Sequence, residues 1–242
     1  MFDPAPPPLT GRRSMRQTWA DITFVHWAVD PALVAPHLPP GTRPDVLDGA
    51  TYVGLIPFRM EHAGFGVGPR VPWLGDFLET NVRLYAVDDA GRHGVVFASL
   101  ECQRLLVALG ARAVTGTRYT WARMRTSRER DRVRYETRRR WPGPRGAASR
   151  MDVTVGAPVA EPSPVEQFVT ARFGLHSVVA GRTLWIPNTH EPWPLRRATL
   201  DRLDDDLVAA AGFGDLAGTP PDSVLHSAGT YTEFGLPARL RT

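Results

Sequence analysis

The sequence contains no lysine, and all 29 of its basic residues are arginines. Isoleucine and asparagine are also scarce, since isoleucine occurs three times and asparagine only as Asn81 and Asn188. Scarcity of these three residue types together is typical of a GC-rich genome. Whatever its origin, the absence of lysine means that no side chain can form a Schiff base with a carbonyl substrate or with pyridoxal phosphate.

Cysteine and long apolar runs are missing as well. Cys102 is the only cysteine, so an internal disulfide is excluded, which fits a reducing cytoplasm. No apolar run approaches the roughly 18 residues of a membrane span, and the opening MFDPAPPPLTGRRS lacks the apolar segment of a secretory signal. With 43% hydrophobic and 22% charged residues, we expect a soluble, cytoplasmic protein. The net charge of +4 permits anionic partners without demanding them.

The common catalytic and metal-binding motifs are absent. The chain has no phosphate-binding P-loop, no G-x-S-x-G, no H-E-x-x-H and no C-x-x-C. GFGVG, from Gly64 to Gly68, is too short for a dinucleotide loop and indicates a flexible loop. The seven histidines show no H-x-H or i,i+4 pair, so we predict neither a metal site nor a cofactor.

Short strand-like runs separated by turn signals dominate the chain. Asp48-Gly49 predicts a hairpin between residues 43–47 and 50–59, and two long strands are expected at residues 113–126 and 133–140. Asp30 before Pro31 and Ser163 before Pro164 are helix starts, and a helix is expected from Arg104 to about Gly110. These elements indicate an α+β domain on an antiparallel sheet, which we predict to curl into a barrel. We expect one domain over residues 15–242, after a flexible lead-in at residues 1–14.

The stretch FLETNVRLYAV, from Phe77 to Val87, alternates strictly. Leu78, Thr80, Val82, Leu84 and Ala86 share one face and predict contact with a core. The other face sets Glu79, Asn81 and Arg83 between two aromatic residues. Periodicity alone slightly favours a polar stripe that faces water. The large aromatic neighbours and the rarity of asparagine favour the wall of a pocket. There we expect Glu79 and Arg83 to pair with each other or to bind a ligand.

Several other residues are candidates with two interpretations each. His190, in THEPWPLRR, is expected in an irregular loop beside Trp193, as an acid/base or as a packed anchor. His26 lies on an apolar strand face, where a histidine is usually a satisfied core residue. Arg172 lies at the end of the predicted helix VEQFVTAR and could offset its dipole. Tyr119 and Arg123, in the run TRYTWARM that opens with Thr117 and Arg118, could be ordinary strand residues.

The segment from Arg125 to Arg150 holds ten arginines against three acidic residues. Alternate positions place five charged side chains on one face of its second strand. They are Arg132, Arg134, Glu136, Arg138 and Arg140. A solvated hairpin is the favoured interpretation, and a polyanion-binding patch is the alternative. Nucleic acid is the less favoured partner because few aromatic residues are interleaved.

Seven motifs in order resemble a known family. They are MRQTWADITFVHWAV…LPPGT, GATYVGLIPFRM, FLETNVRLYAV, FASLECQRLLVALGAR, YTWARM, VTARFGL and HEPWPL. The set, covering residues 15–234, resembles the YqjF-like bacterial family of unknown function, which is similar to the acetoacetate decarboxylase superfamily. The resemblance implies an antiparallel cone-like β-barrel with a central pocket and a few outer helices. It also places the Glu-x-Asn-x-Arg face in the pocket wall.

The resemblance also defines a departure. The strand with Tyr119 resembles the one on which acetoacetate decarboxylases carry their Schiff-base lysine, and this chain has Arg118 and Tyr119 there instead. An amine-catalysed decarboxylation is therefore excluded, and the family supplies no other activity.

Two main functions follow as expectations. One is an enzyme for a small carbonyl or carboxylate compound, in which Arg83 binds an anionic group, Glu79 acts as acid or base and Tyr119 donates a hydrogen bond. In it Asn81 orients Glu79 or the ligand, and His190 and His26 are further proton carriers. We assign Arg123, Arg172 and Trp193 to ligand contact. The alternative is a non-catalytic protein that binds a small organic acid. The sequence leaves open whether the protein forms a homo-oligomer.

Overall fold

The computed structural model describes residues 5–66 and 68–240 of the chain. Thirteen strands of one sheet dominate this part of the protein. The strands are β1 (Arg13–Val29), β2 (Thr42–Pro44), β3 (Thr51–Phe65), β4 (Phe77–Asp88), β5 (His93–Cys102), β6 (Tyr119–Glu129), β7 (Arg132–Trp141), β8 (Ala148–Pro158), β9 (Gly174–Val179), β10 (Arg182–His190), β11 (Leu195–Asp205), β12 (Ser223–Gly235) and β13 (Ala238–Arg239). The α-helices are α1 (Pro31–Val34), α2 (Leu105–Thr115) and α3 (Pro164–Thr170). The prediction of a sheet-dominated fold with few helices is confirmed.

Most neighbouring strands in the sheet are antiparallel. The order is β13-β10-β9-β5-β6-β7-β8-β11-β12-β1-β3-β4-β2, and β4 also pairs with β5 while β10 also pairs with β12. The pairings of β5 with β6 and with β9 are parallel. Strand β4 is hydrogen-bonded to β3 on one side and to β5 on the other. Its side chains are therefore fixed in register by two neighbours.

Helix-capping residues act as the sequence predicts at two helices. The Asp30 carboxylate accepts a 2.8 Å hydrogen bond from the Ala32 amide, with Pro31 as the first helical residue. Ser163 and Glu166 form a reciprocal capping box at the start of α3. These caps satisfy amide groups that would otherwise lack a partner inside the helix.

The predicted end of α2 was wrong. The helix continues past Gly110 to Thr115 and ends at Gly116, whose φ of 67° is left-handed. A Cβ at Gly116 would lie 1.9 Å from the Val178 carbonyl oxygen, so the turn needs glycine there. Gly110 is an ordinary helical position with open space around it. Strand β6 consequently begins at Tyr119, not at Ala113.

Other predicted boundaries also shift. Strand β1 begins at Arg13, and residues 1–4 of the predicted lead-in lie outside the described residues, as does Val67 in the GFGVG loop. The turn at Asp48-Gly49 is confirmed by positive φ angles of 50° and 87°. The strand before it is short and pairs with β4, so the predicted hairpin between residues 43–47 and 50–59 reduces to an isolated Leu47–Ala50 bridge.

The two faces of β4 meet different surroundings. Val82, Leu84 and Ala86 pack in a core with buried residues of β1, β3, β5, β7 and β8. Phe77 and Tyr85, on the opposite face, belong to two other apolar clusters that also contain residues of α2 and α3 respectively. The strand thus separates two packed layers. In the part of the chain described, every helix is too short or too polar to cross a bilayer.

Candidate active site on strand β4

The alternating polar row of β4 is buried. The exposed fractions are 3% for Glu79, 4% for Asn81 and 9% for Arg83. The interpretation of this row as a water-facing stripe, which periodicity slightly favours, is therefore wrong. Glu79 and Arg83 are four positions apart on an extended strand, which corresponds to roughly 13 Å between their Cα atoms.

Glu79 lies at the α2 end of this row. The Tyr119 hydroxyl donates a 2.9 Å hydrogen bond to its Oε2 atom. Cys102 faces Glu79 from the neighbouring strand. Burial raises the pKa of Glu79 to about 8, although the hydrogen bonds from Tyr119 and Asn81 lower it and the nearby Glu101 carboxyl raises it further. The Glu79 side chain is therefore largely a neutral acid at neutral pH.

Tyr119 stays protonated beside this acid. Burial and the Glu79 carboxyl raise the pKa of Tyr119 well above its usual value. The same two causes, in the same order, raise the pKa of the Cys102 thiol. Both groups are therefore hydrogen-bond donors, not anions, at this end of the site.

Asn81 occupies the middle of the row. Its Oδ1 atom is buried and has no hydrogen-bond partner among the residues that the structure describes. Ile56 and Leu100 flank it across the two neighbouring strands, and both are apolar. A buried acceptor without a donor costs about 1–3 kcal/mol, so the position favours a donor group from outside the chain.

Arg83 ends the row in a network of hydrogen bonds. Its Nε donates to the Tyr85 hydroxyl oxygen at 3.0 Å, and an Nη donates to the Val169 carbonyl at 2.8 Å. The Tyr85 oxygen lies 3.0 Å from the Val169 carbonyl oxygen and 2.5 Å from His26 Nε2. Burial lowers the pKa of His26 well below its usual value, and Arg83 adds to this. His26 is therefore neutral, and its Nδ1 atom is buried without a hydrogen-bond partner in the described part of the chain.

Glu79 and Arg83 do not pair with each other. Among the described residues, neither side chain has an ion-pair partner within 4.0 Å. The expectation that they neutralise one another was wrong. Glu79 reduces its burial cost by holding a proton, and Arg83 reduces its own through the hydroxyl, the carbonyl and the ring of Phe24, 5.4 Å from its Cζ.

Gly54 on β3 makes room for this arrangement. It pairs directly with Arg83 on one side and with His26 on the other. A Cβ built on Gly54 would lie 2.7 Å from His26 Nε2 and 2.7 Å from a methyl carbon of Ile56. The His26 imidazole therefore occupies the space that a side chain at position 54 would need.

His190 and Trp193 join the site through aromatic contacts. Trp193 lies 5.2 Å from Phe24, 5.0 Å from His190 and 5.7 Å from Trp19 between ring centroids. His190 is the last residue of β10, so its predicted place in an irregular loop was wrong. Its Nδ1 donates a 2.8 Å hydrogen bond to the Glu191 carbonyl, and burial lowers its pKa.

Two predicted ligand residues lie apart from the row. Arg172 is buried, pairs with Asp45, donates to the Phe168 carbonyl at 2.6 Å and stacks 4.9 Å from the Tyr85 ring. The Arg172 guanidinium thus packs against the Tyr85 ring. Arg123 is exposed on the outer face of β6 and lies in a surface groove with Arg138 and Trp121. The structure does not bring Arg123 to Glu79.

A second buried polar system on the other face of β4 was missed from the sequence. Glu101 forms a buried ion pair with Arg139 and accepts from Thr120 and Ser99 at 3.1 and 3.3 Å. One signal was present, because Arg139 falls on the same strand face as Tyr135 and Thr137 and not with the exposed arginines. In the described residues, no cluster of three or more His, Cys, Asp or Glu is placed to hold a metal ion.

Comparison with known proteins places the chain in a family. Residues 16–231 match the model of DUF2071, described as an uncharacterized conserved protein. The chain belongs to this family. A DUF2071-type relative, the uncharacterized protein YqjF of Bacillus subtilis, is 29% identical over 201 residues, which is 82% of each chain.

Solved structures of similar fold include acetoacetate decarboxylases and an enduracididine biosynthesis enzyme. An acetoacetate decarboxylase-like enzyme from Sphingomonas wittichii has a TM-score of 0.65 at 14% identity, covering 96% of this chain and 95% of its own. Acetoacetate decarboxylase from Legionella pneumophila has a TM-score of 0.61 at 14% identity, covering 97% of this chain and 91% of its own. The enduracididine biosynthesis enzyme MppR complexed with pyruvate has a TM-score of 0.63 at 16% identity, covering 96% of this chain and 92% of its own. At these identities the likeness concerns the fold.

Proposed function

We propose that this member of the DUF2071 family is an enzyme that acts on a small carbonyl or carboxylate compound by acid/base catalysis, without a Schiff base. One observation carries the proposal. A buried neutral carboxyl, an unpartnered amide oxygen and a buried guanidinium follow one another on one face of β4, at Glu79, Asn81 and Arg83.

Glu79 is the proton donor of the proposed site. With a pKa of about 8 the Glu79 carboxyl is protonated at neutral pH. Because this pKa lies close to 7, the carboxylate left after proton donation can also take the proton back. The Tyr119 hydroxyl donates its one proton to Oε2 and holds the Glu79 carboxyl in place. Its high pKa keeps it protonated, so it stabilises the negative charge that develops on Glu79 when that carboxyl gives up its proton. Protonation and deprotonation beside a carbonyl are the steps that such a pair can serve.

Arg83 supplies the positive charge that an anionic substrate needs. Its guanidinium is fixed by Tyr85 and Val169 and lacks a carboxylate partner among the described residues, so a substrate carboxylate would gain a charge-assisted hydrogen bond there. Asn81 Oδ1, between Glu79 and Arg83 on the strand, accepts from a donor on the same ligand. His26 and His190 are neutral, and we assign them to further proton transfer or ligand contact.

The architecture around the row is part of the proposal. Following the pairings from β5 through β6 and onward leads to β4, which pairs with β5 again, and this supports a closed, cone-like barrel. The proposal adds helices outside the barrel and a pocket at the β4 row. The neighbour MppR was solved with pyruvate, which supports 2-oxo acids as first probes. The single, buried Cys102 supports a cytoplasmic location.

The experiment is a turnover screen against small 2-oxo and 3-oxo acids, followed by NMR on the full chain. Substrate loss that Glu79→Gln reduces by roughly 100-fold or more, while Glu161→Gln does not, supports the assignment. Glu161 is an exposed carboxylate and serves as the matched control. Unchanged turnover in Glu79→Gln overturns it.

The second candidate is a non-catalytic binding protein for a small organic acid. It is favoured by the way Arg83 is locked into hydrogen bonds at one end of the row. Thermal stabilisation by an acid recovered unchanged, and lost in Arg83→Gln, selects this function over catalysis. If no acid of the panel produces either turnover or thermal stabilisation, both candidate functions are rejected.

A further inference from the structure

A basic groove lies outside the β4 site. It has a volume of about 940 Å³ and runs between α2 and the β6–β7 hairpin. Five arginines and two tryptophans line it, with Leu105 and Leu109 of α2 opposite. No carboxylate is among its lining residues in the described part of the chain. The volume matches that of small-molecule sites.

The groove arginines lack the neutralisation found elsewhere on the hairpin. Toward the turn, Arg134 pairs with Asp152 and Arg128 pairs with Asp21. At the groove, Arg123 lies directly opposite Arg138 in the strand register. Within the described residues, neither has a carboxylate within 4.0 Å.

Like charges placed directly opposite each other across two strands oppose folding. An anion that bridges Arg123 and Arg138 would relieve this repulsion. Arg140 and Arg145 also line the groove and have no ion pair in the described residues, so four guanidinium groups are available to one ligand. Arg139 is committed to Glu101 at the groove wall.

Aromatic surface accompanies the positive charge. Trp121 lies opposite Trp141 in the register, and Trp141 is 40% exposed. The Arg140 guanidinium carbon lies 5.1 Å from the Trp121 ring centroid. Tryptophan faces and arginine planes together accept a flat ring by stacking, which inorganic anions cannot exploit.

We propose that this groove binds a phosphorylated small molecule with a planar ring, of the nucleoside triphosphate class. Arg123 and Arg138 hold the phosphates by charge-assisted hydrogen bonds, and Trp121 or Trp141 stacks on the base. The site is separate from the β4 row, and its occupancy does not depend on the function proposed there.

The test compares ATP, inorganic triphosphate and a single-stranded oligonucleotide by calorimetry on the full chain at 50 mM and at 500 mM salt. The groove variant is Arg123→Gln with Arg138→Gln. The control is Arg125→Gln with Arg132→Gln, which removes the same charge from the same two strands nearer the turn. We expect ATP affinity to fall roughly tenfold or more in the groove variant and about twofold or less in the control.

Thermal melting of the ligand-free proteins tests whether the groove variant still folds. The groove variant removes a like-charge pair, so its melting temperature in low salt should equal or exceed that of the wild type. Affinity should also fall with salt. Equal loss in both variants, or no ATP binding, overturns the proposal. Inorganic triphosphate binding as tightly as ATP overturns the stacking role, and tighter binding of the oligonucleotide reassigns the groove to nucleic acid.

Discussion

The Tyr119 hydroxyl donates to Oε2 of Glu79 across 2.9 Å, and this bond joins β6 to β4 in the buried row. It lowers the pKa of Glu79, against a burial effect that raises it to about 8. The acid strength of Glu79 is therefore set by a balance that single substitutions can shift.

Tyr119→Phe should raise the pKa of Glu79 further, because the bond that favours its charged form is lost. We expect a destabilisation of about 1–2 kcal/mol as well. Carboxyl infrared bands followed against pH measure the first effect, and urea unfolding measures the second. Tyr231→Phe is the control, since that exposed hydroxyl makes only a 3.4 Å contact with Glu233. An unmoved carboxyl titration would contradict the prediction.

Glu79→Gln should flatten the dependence of stability on pH. The folded-state pKa of Glu79, about 8, lies above its unfolded value of 4.5, so the folded protein binds the extra proton between these limits. The stabilisation is complete below about pH 4.5 and is lost as pH rises toward about 8, amounting to a few kcal/mol. Melting temperatures of both proteins from pH 5 to 8 test this. Parallel curves would show that Glu79 titrates normally.

Asp205→Asn should act over a lower range. Burial raises the pKa of Asp205 to about 6, and its carboxylate caps the Val208 amide at 2.8 Å, which asparagine can still accept. The wild type should lose stability relative to this variant as pH rises from about 4 to 6. Thermal melts in that window provide the measurement, and a difference that appears only above pH 7 would refute it.

Gly54→Ala should destabilise the fold by roughly 1–3 kcal/mol, since its Cβ would collide with His26 and Ile56. Gly110→Ala, the same chemical change in α2 where the space is open, should stabilise by roughly 0.5–1 kcal/mol. Denaturant midpoints compare the two. If Gly54→Ala were neutral, the close packing of His26 against β3 would be wrong.

Arg139→Met should cost about 3–5 kcal/mol, because it leaves the buried Glu101 carboxyl without its cation. Adding Glu101→Gln should recover part of that loss, since the stranded charge is then gone. Unfolding free energies of the two single variants and the double variant form the cycle. Strict additivity would mean that the two residues contribute independently.

The sequence predicted the elements whose signals are local. Asp30, Ser163 and the Asp48-Gly49 turn act through bonds within a few residues, so pattern alone located them. Alternation also separated the two faces of β4. The family resemblance, not periodicity, moved the polar face away from water.

The remaining features depend on contacts distant in the chain. The Val169 carbonyl reaches Arg83 from α3, which lies 86 residues further along. The space for His26 depends on Gly54, and the end of α2 depends on the Val178 carbonyl. Neither composition nor spacing records such neighbours. The expected Glu79–Arg83 pair failed for the same reason, because each side chain found a closer partner on another element.

Strand β4 carries one polar system on each face. Glu79 and Arg83 lie on one side, while Thr80 on the other bonds Thr137 at 3.0 Å beside the Glu101–Arg139 pair. A one-residue slip in register would exchange the two sets and place Glu79 and Arg83 in the wrong layer. Over its evolution this strand can therefore accept substitutions far more readily than insertions or deletions. Changes in length belong instead to the turns at its ends.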